Sequence, residues 1–342
     1  MAGAGDLPLD PLGRYLAGAV PGFGRLTGAR KFPGGQSNPT FLVDATGGRF
    51  VLRRKPPGQL LKSAHAVDRE HRVMAALAGS AVPVPRVFAL CEDEAVIGSA
   101  FYVMEYLEGR IFWDAVLPDL GPDERAAVYD AMNATLAALH RVDPAAVGLA
   151  DFGRPGSYFA RQTARWSGQY RASQTDPLPE MDALIAWLEG AMPADDGRVA
   201  LVHGDFRLDN LVFAPDAPRV LAVLDWELAT LGHPFADLAY QCMQWRLPPD
   251  SALPGLGGVD RRALGLPTEE EYVAAYCARM GLPGIPGWRF YLAFSFFRLA
   301  AILQGVYRRA LDGNASNPER GIRMGETVPL LARLAGEVIG EG

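Results

Sequence analysis

The sequence predicts an α+β chain of two lobes, and three features lead there. Short apolar runs of strand type crowd residues 1–107, whereas helical periodicity fills most of residues 108–342. Within the helical part, two isolated apolar runs, Ala200–Val202 and Val220–Leu224, are each followed at once by polar residues. A small β-rich N-lobe followed by a larger helical C-lobe is the simplest arrangement of such segments.

In the first lobe, Phe41–Val43 and Phe50–Leu52 flank a turn containing Gly47-Gly48, which predicts a hairpin. A polar loop, Gly34-Gly35-Gln36-Ser37-Asn38, precedes it. Residues 64–77 have a helical repeat, with Val67, Val73, Met74 and Leu77 on or near one face. The prolines at 83 and 85 break that helix ahead of strands at Arg86–Leu90 and Phe101–Tyr106. Leu107-Glu108-Gly109 reads as a linker. In the second lobe, Pro122-Asp123-Glu124 starts a helix that runs to about His140. Further helices are expected at Tyr158–Tyr170, Glu180–Met192, Glu269–Met280, Trp288–Leu311 and Ile322–Ile339.

Composition narrows the function classes. Apolar residues make up 49% and charged residues 21%, the ordinary globular range. A net charge of −6 without a long basic run argues against a nucleic-acid partner. The apolar stretch from Phe290 to Val306 is short for a bilayer and carries Arg298 and Gln304, so a buried helix is expected and no membrane partner. Cys91, Cys242 and Cys277 are too few and scattered for a disulfide framework or metal cluster, which fits a reduced, cytoplasmic setting. Met1 to Asp10 lacks the basic and apolar regions of a signal peptide. Of 33 basic residues, only Lys31, Lys55 and Lys62 are lysines, so work usually given to lysine can fall to arginine here. Nothing in the pattern fixes an oligomeric state.

The chemistry concentrates in two motifs. His203-Gly204-Asp205-Phe206-Arg207-Leu208-Asp209-Asn210 follows the first isolated apolar run, and Asp225-Trp226-Glu227 follows the second. Phosphoryl transfer needs a carboxylate to orient a hydroxyl and accept its proton, and hard oxygen ligands for a divalent metal on the phosphates. Asp205 would be the base, and Asn210 and Asp225 would hold Mg²⁺. Taken singly, Asp205 could cap a turn and Asn210 fill a left-handed position. Asp225 and Glu227 could also form a generic metal pair of a hydrolase that uses no nucleotide.

These motifs, together with Asp237-Leu238-Ala239, resemble the aminoglycoside phosphotransferase and choline kinase-like superfamily over roughly residues 25 to 310. The stretches Gly34–Asn38, Phe50–Pro57 and Asp68-Arg69-Glu70 resemble one branch of it most, the kinase-like domains fused to acyl-CoA dehydrogenases. The resemblance implies a two-lobed protein-kinase-like fold, with Mg²⁺ and ATP or GTP as cofactor and co-substrate. It implies that Gly34, Gly35, Gln36, Ser37 and Asn38 cover the nucleotide phosphates. It implies a phosphate-contacting cation at Arg53, where the family usually has lysine, with Lys55 as the alternative and Glu70 as its partner. Met104, Glu105, Tyr106 and Leu107 would contact the adenine. His203 would brace the catalytic loop, and Asp237 would accept hydrogen bonds from that loop's backbone.

The acceptor is less legible. Tyr158, Arg161, Arg165, Trp166 and Tyr170 are spaced to share much of a helix face, and Trp245 and Arg246 follow the last motif. Arginines among aromatics suit an anionic or acyl-bearing acceptor better than a polycationic aminoglycoside. Arg207, Asp209 and Glu227 are further candidates, while the same aromatics could equally be packing core. The branch resemblance implies a hydroxyl on a hydroxyacyl compound. An aminoglycoside or choline-type kinase, and a nucleotide-binding pseudokinase acting through partners, stay open as alternatives.

Overall fold

The computed structural model describes residues 7–32, 38–56, 66–314 and 317–340. Of the expected sites, Gly34, Gly35, Gln36 and Ser37 lie outside the described residues. In chain order the elements are α1 (Leu9–Ala19), β1 (Leu26–Lys31), β2 (Thr40–Ala45), β3 (Gly48–Arg54), α2 (Val67–Leu77), β4 (Val87–Cys91), α3 (Glu94–Ile97) and β5 (Phe101–Glu105). There follow α4 (Pro122–His140), α5 (Tyr158–Ser173), α6 (Pro179–Gly190), β6 (Ala200–Val202), β7 (Leu211–Phe213), β8 (Val220–Val223), β9 (Thr230–Gly232) and α7 (Phe235–Trp245). The chain closes with α8 (Glu269–Met280), α9 (Trp288–Leu311), α10 (Pro318–Gly325) and α11 (Val328–Gly340).

The chain divides into two compact units. The first comprises residues 1–111, 147–149 and 210–229, and the second comprises residues 112–146, 150–209 and 230–342. This differs from a single cut after residue 107, because the β7–β8 hairpin and the Asp225 turn belong with the first unit.

In the first unit an antiparallel five-stranded sheet has the order β1-β2-β3-β5-β4. Phe41, Val43, Phe50, Leu52, Phe101 and Val103 pack on one side with Leu12 and Leu16 of α1. The alternation of the strands puts them there. Gly47 allows the β2–β3 turn, since a Cβ there would lie 1.7 Å from the Gly22 carbonyl oxygen. The short β7–β8 hairpin is tied to the linker by reciprocal backbone hydrogen bonds of 2.8 Å between Arg110 and Phe213.

The second unit is helical around α9. Of the twelve residues from Phe290 to Ala301, all but Arg298 are apolar or small, and all twelve are buried. By length and composition α9 alone among the described helices could cross a bilayer, yet 78% of its apolar window is buried inside protein, as the interrupted sequence implied. The helix starts carry their signals. Pro122 stands at the first turn of α4, and Thr268 accepts a 3.2 Å hydrogen bond from the Glu271 amide at the start of α8.

One expected helix needs correction. The helix expected over Ile322–Ile339 is two, α10 and α11. Pro329 cannot continue an incoming helix, and Gly325 lies where a Cβ would meet the Tyr307 ring at 2.2 Å. Helix α1 and strand β1 were not foreseen. The first is rich in Gly and Leu with only two fully buried positions, and the second, Leu-Thr-Gly-Ala-Arg-Lys, lacks an alternating apolar pattern.

Candidate active site

In the first unit a buried cation organises three carboxylates. On β3, Arg53 stands opposite Tyr102 of β5, and α2 carries Glu70 above the same sheet. Arg53 Nε lies 2.9 Å from Glu70 Oε2, Nη2 lies 2.6 Å from Asp225 Oδ1, and Nη2 lies 3.8 Å from Glu227 Oε2. Glu70 is 1% exposed and fully engaged: Asn38 Nδ2 donates to Oε1 at 2.7 Å, and the Tyr102 hydroxyl donates to Oε2 at 3.0 Å. Burial pushes the Glu70 carboxyl up to about 7; the Arg53 charge opposes that rise and Asp225 adds to it. Burial works against the Arg53 charge too, but Glu70 and Asp225 outweigh it and hold the guanidinium above its ordinary value. Of the two candidate cations, therefore, Arg53 makes the pair with Glu70. Lys55 sits at the surface, 3.8 Å from Asp68.

Asp225 adopts φ 64°, a left-handed conformation uncommon outside glycine, and so turns sharply away from β8. Trp226 fixes that turn by donating its indole N–H to the Val223 carbonyl at 3.0 Å. Asn210 enters β7 just beyond the β7–β8 ladder, and its carbonyl accepts the Leu224 amide at 2.8 Å. One oxygen from each of Glu70, Asp225 and Glu227 falls within 4.8 Å of the others. Glu70 is spoken for by three donors, but the Asp225 side chain is 32% exposed and that of Glu227 22%. Hard oxygens that solvent reaches suit Mg²⁺.

The expected adenine-contacting segment follows β5. Met104 is buried in the strand, while Glu105, Tyr106 and Leu107 are half-buried. Glu105 exchanges hydrogen bonds with Arg86, and the Arg49 guanidinium lies over the Tyr106 ring at 4.4 Å.

In the second unit Asp205 sits at the end of β6 on a loop held from below by Asp237 of α7. The two Asp237 oxygens accept the His203 amide at 2.6 Å and the Gly204 amide at 2.8 Å. His140 Nε2 lies 3.3 Å from Asp237, and its Nδ1 lies 2.7 Å from the Tyr276 hydroxyl. Burial alone would raise the Asp237 carboxyl, yet these partners hold it below its ordinary value. His203 Nδ1 accepts the Asp205 amide at 3.2 Å, so the imidazole shapes the loop. The Asp205 carboxylate faces Arg207 at 3.5 Å, and the buried Tyr240 hydroxyl bonds to it. Arg207 also pairs with Asp209 at 2.5 Å.

The other acceptor candidates separate. Trp245 is buried between Tyr129 and Tyr272, and Tyr170 is buried in the face of α5, so both pack as core side chains. Tyr158 is buried edge-on to Phe159, and Arg161 donates to the carbonyls of Arg154 and Pro155. Trp166 is half-buried, with the guanidinium groups of Arg165 and Arg298 over its ring. The sequence argument missed Tyr102, His140, Tyr240 and Arg298. Arg298 had a signal: a lone charge inside an apolar helix needs a reason to be there. Tyr102 was findable only once the β3–β5 register placed it across from Arg53.

Comparison with known proteins agrees with this architecture. The family model described as "Phosphotransferase enzyme family" matches residues 28–293. Acyl-CoA dehydrogenase family member 10 of Mus musculus is 51% identical over 317 residues; these cover 91% of this chain, and the chain spans 29% of that relative's length. A Ralstonia eutropha structure assigned to the aminoglycoside phosphotransferases superposes with TM-score 0.89 at 47% identity, covering 98% of this chain and 99% of that one. An aminoglycoside phosphotransferase solved with AMP-PNP and hygromycin B shares the fold alone, with TM-score 0.65 at 18% identity over 97% of this chain and 99% of that one. The chain thus belongs to the phosphotransferase enzyme family and has its two-lobed, protein-kinase-like fold.

Proposed function

We propose that this small-molecule phosphotransferase moves the γ-phosphate of ATP or GTP to a hydroxyl of a small, acyl-bearing compound. The observation that carries it is Arg53, which holds Glu70 and Asp225 at once from one guanidinium. Such a cation, fixed by a buried carboxylate and open toward a second one, suits the α- and β-phosphates. Asp225 and Asn210 would hold Mg²⁺, with Glu227 the nearest further carboxylate; bound Mg²⁺ offsets the negative charge of the phosphates. Asp205 accepts the proton of the attacking hydroxyl. Met104 and the residues up to Leu107 line the base, and Gly34 to Asn38 cover the phosphates. His203 and Asp237 act on the loop rather than on the substrate.

For the acceptor, the groups around Asp205 favour a hydroxyacyl compound over an aminoglycoside. Arg207 and Arg298 both act on the Tyr240–Asp205 pair, and a polycation would meet like charge there. The test is ADP release from Mg²⁺-ATP, and separately from Mg²⁺-GTP, over a panel of hydroxy acids, their CoA thioesters, aminoglycosides and choline. Turnover of hydroxyacyl compounds that Asp205→Ala abolishes is the expected result. Turnover of aminoglycosides alone overturns the acceptor class. Mg²⁺-dependent nucleotide binding with no transfer to any acceptor leaves the pseudokinase alternative.

A further inference from the structure

Arg298 lies in the middle of α9 and is buried, with only 7% of its surface exposed. A guanidinium taken out of water is ordinarily paired with a carboxylate. Among the described residues Arg298 has no such partner. Its Nη1 donates to the Gly204 carbonyl at 2.8 Å, one residue before Asp205. Its charge lies 5.9 Å from the Trp166 ring centre and 5.4 Å from that of Tyr240. Its remaining nitrogens make no hydrogen bond to any described residue, and none of them is sealed from solvent. The group is thus clamped on three sides, next to the residue before Asp205, and keeps N–H donors that no described acceptor takes. Arg53, by contrast, has its carboxylates in place.

Building on the phosphotransferase reading, we propose that Arg298 is an acceptor-binding residue that takes the acyl oxygen of a hydroxy acid or its thioester. The planar fork offers parallel donors to a carboxylate, and one strong donor to a thioester carbonyl. The aromatic faces of Trp166 and Tyr240 hold the fork in place, so little side-chain freedom is lost when the ligand arrives. The Tyr240 hydroxyl fixes the Asp205 carboxylate beside it. The acyl oxygen would then be gripped close to the carboxylate that accepts the proton of the substrate hydroxyl. This assigns specificity to a residue in the α9 core rather than to the exposed arginines of α5.

The test is binding, measured without nucleotide so that transfer is not required. The full chain is titrated with β-hydroxybutyrate, with β-hydroxybutyryl-CoA and with the corresponding diol, which keeps the hydroxyl and lacks the acyl oxygen. Heat of binding and tryptophan fluorescence, to which Trp166 contributes, are followed together. The expected result is that one or both acyl probes bind, and that Arg298→Gln weakens them about tenfold or more, the loss of a charge-assisted contact. The diol binds weakly to wild type and variant alike. Which acyl probe depends on Arg298 separates the free acid from the thioester. If Arg298→Gln does not fold, Arg298→Lys keeps the charge without the fork and is expected to weaken the same probe by a smaller factor. The proposal is overturned if the diol binds as tightly as the acyl probes, if the folded variant binds them unchanged, or if no acyl probe binds at millimolar concentration. Arg298-dependent binding with no ADP formed from Mg²⁺-ATP would leave the proposal standing and remove the kinase reading.

Discussion

Glu70 in the first unit and Asp237 in the second are both buried carboxylates, and the molecule handles them differently. Glu70 faces another side-chain charge, the Arg53 guanidinium, which also reaches Asp225 and Glu227. Asp237 faces backbone amides and an imidazole. A side-chain ion pair can change partners when a phosphate or metal arrives, because guanidinium and carboxylate each have other groups to turn to. A carboxylate bound to two main-chain N–H groups cannot move without moving the chain. The first arrangement suits a site that must admit a charged ligand and release it. The second suits a loop that must present Asp205 the same way at every turnover.

The largest expected effect lies on the group that the fixed arrangement serves. Asp205→Ala should lower phosphate transfer by about two to four orders of magnitude, the range for losing a general base. Nucleotide binding, followed as a Mg²⁺-ATP-dependent thermal shift, should stay near wild type. Loss of that shift would mean that Asp205 acts on the nucleotide and not on the acceptor. Next comes Asp237→Ala, which orphans the His203 and Gly204 amides in a buried setting. At about 1–3 kcal/mol for each stranded donor, chemical denaturation should show a loss of roughly 3 kcal/mol. A near-neutral result would show that the loop is held by other means.

Much of this was legible in the sequence, because phosphoryl transfer demands a few residue types at characteristic spacings. The order from His203 to Asn210, then Asp225, then Asp237 carried the proposed catalytic side of the site. Each follows or flanks an apolar run that has to be buried. The loop-bracing role of Asp237 could be expected, and the structure shows the two amide contacts. The Glu70 pairing came from the resemblance alone, since a glutamate near a helix start can equally face water. What was not legible depends on tertiary register. Tyr102 meets Glu70 because α2 packs on β5, and His140 at the end of α4 meets Asp237 in the first turn of α7. Trp245 stayed open because an aromatic beside an arginine reads the same in a pocket and in a core. The structure buries it between Tyr129 and Tyr272.

The exchangeable pair has a signature in pH. The folded-state value of Glu70, about 7, lies above its ordinary value of 4.5. The folded chain therefore keeps a proton that the unfolded chain gives up first. The stability from this group is fully present below about pH 4.5 and is lost as pH rises through about 7. By linkage the change is on the order of 3 kcal/mol at most. Glu70→Gln cannot titrate, so its stability plotted against pH from 5 to 7 should lack that downward slope. The curves are compared by slope, because the substitution also weakens the partner of Arg53. Parallel curves would show that Arg53 keeps Glu70 ionised throughout, and that the pair is as fixed as Asp237.

The smallest expected effect probes the shape of the cation instead of its charge. Arg53 contacts Glu70 through Nε and Asp225 through Nη2, two points on a rigid plane. Arg53→Lys keeps the charge but has a single nitrogen, which can stand against Glu70 or reach toward Asp225. Glu70 is the buried partner, so lysine should stay with it, at a loss of about 1 kcal/mol in stability from the forfeited second contact. Asp225 is then released to solvent and to metal. Mg²⁺-ATP binding should hold within a few-fold of wild type, since lysine is the residue the family usually places there and a point charge still meets the phosphates. Arg53→Met removes the charge and should lose both the stability and the nucleotide. A wild-type-like Met variant would remove Arg53 from the phosphate site. A Lys variant as weak as Met would show that the fork, reaching Asp225 and Glu70 together, is what the nucleotide requires.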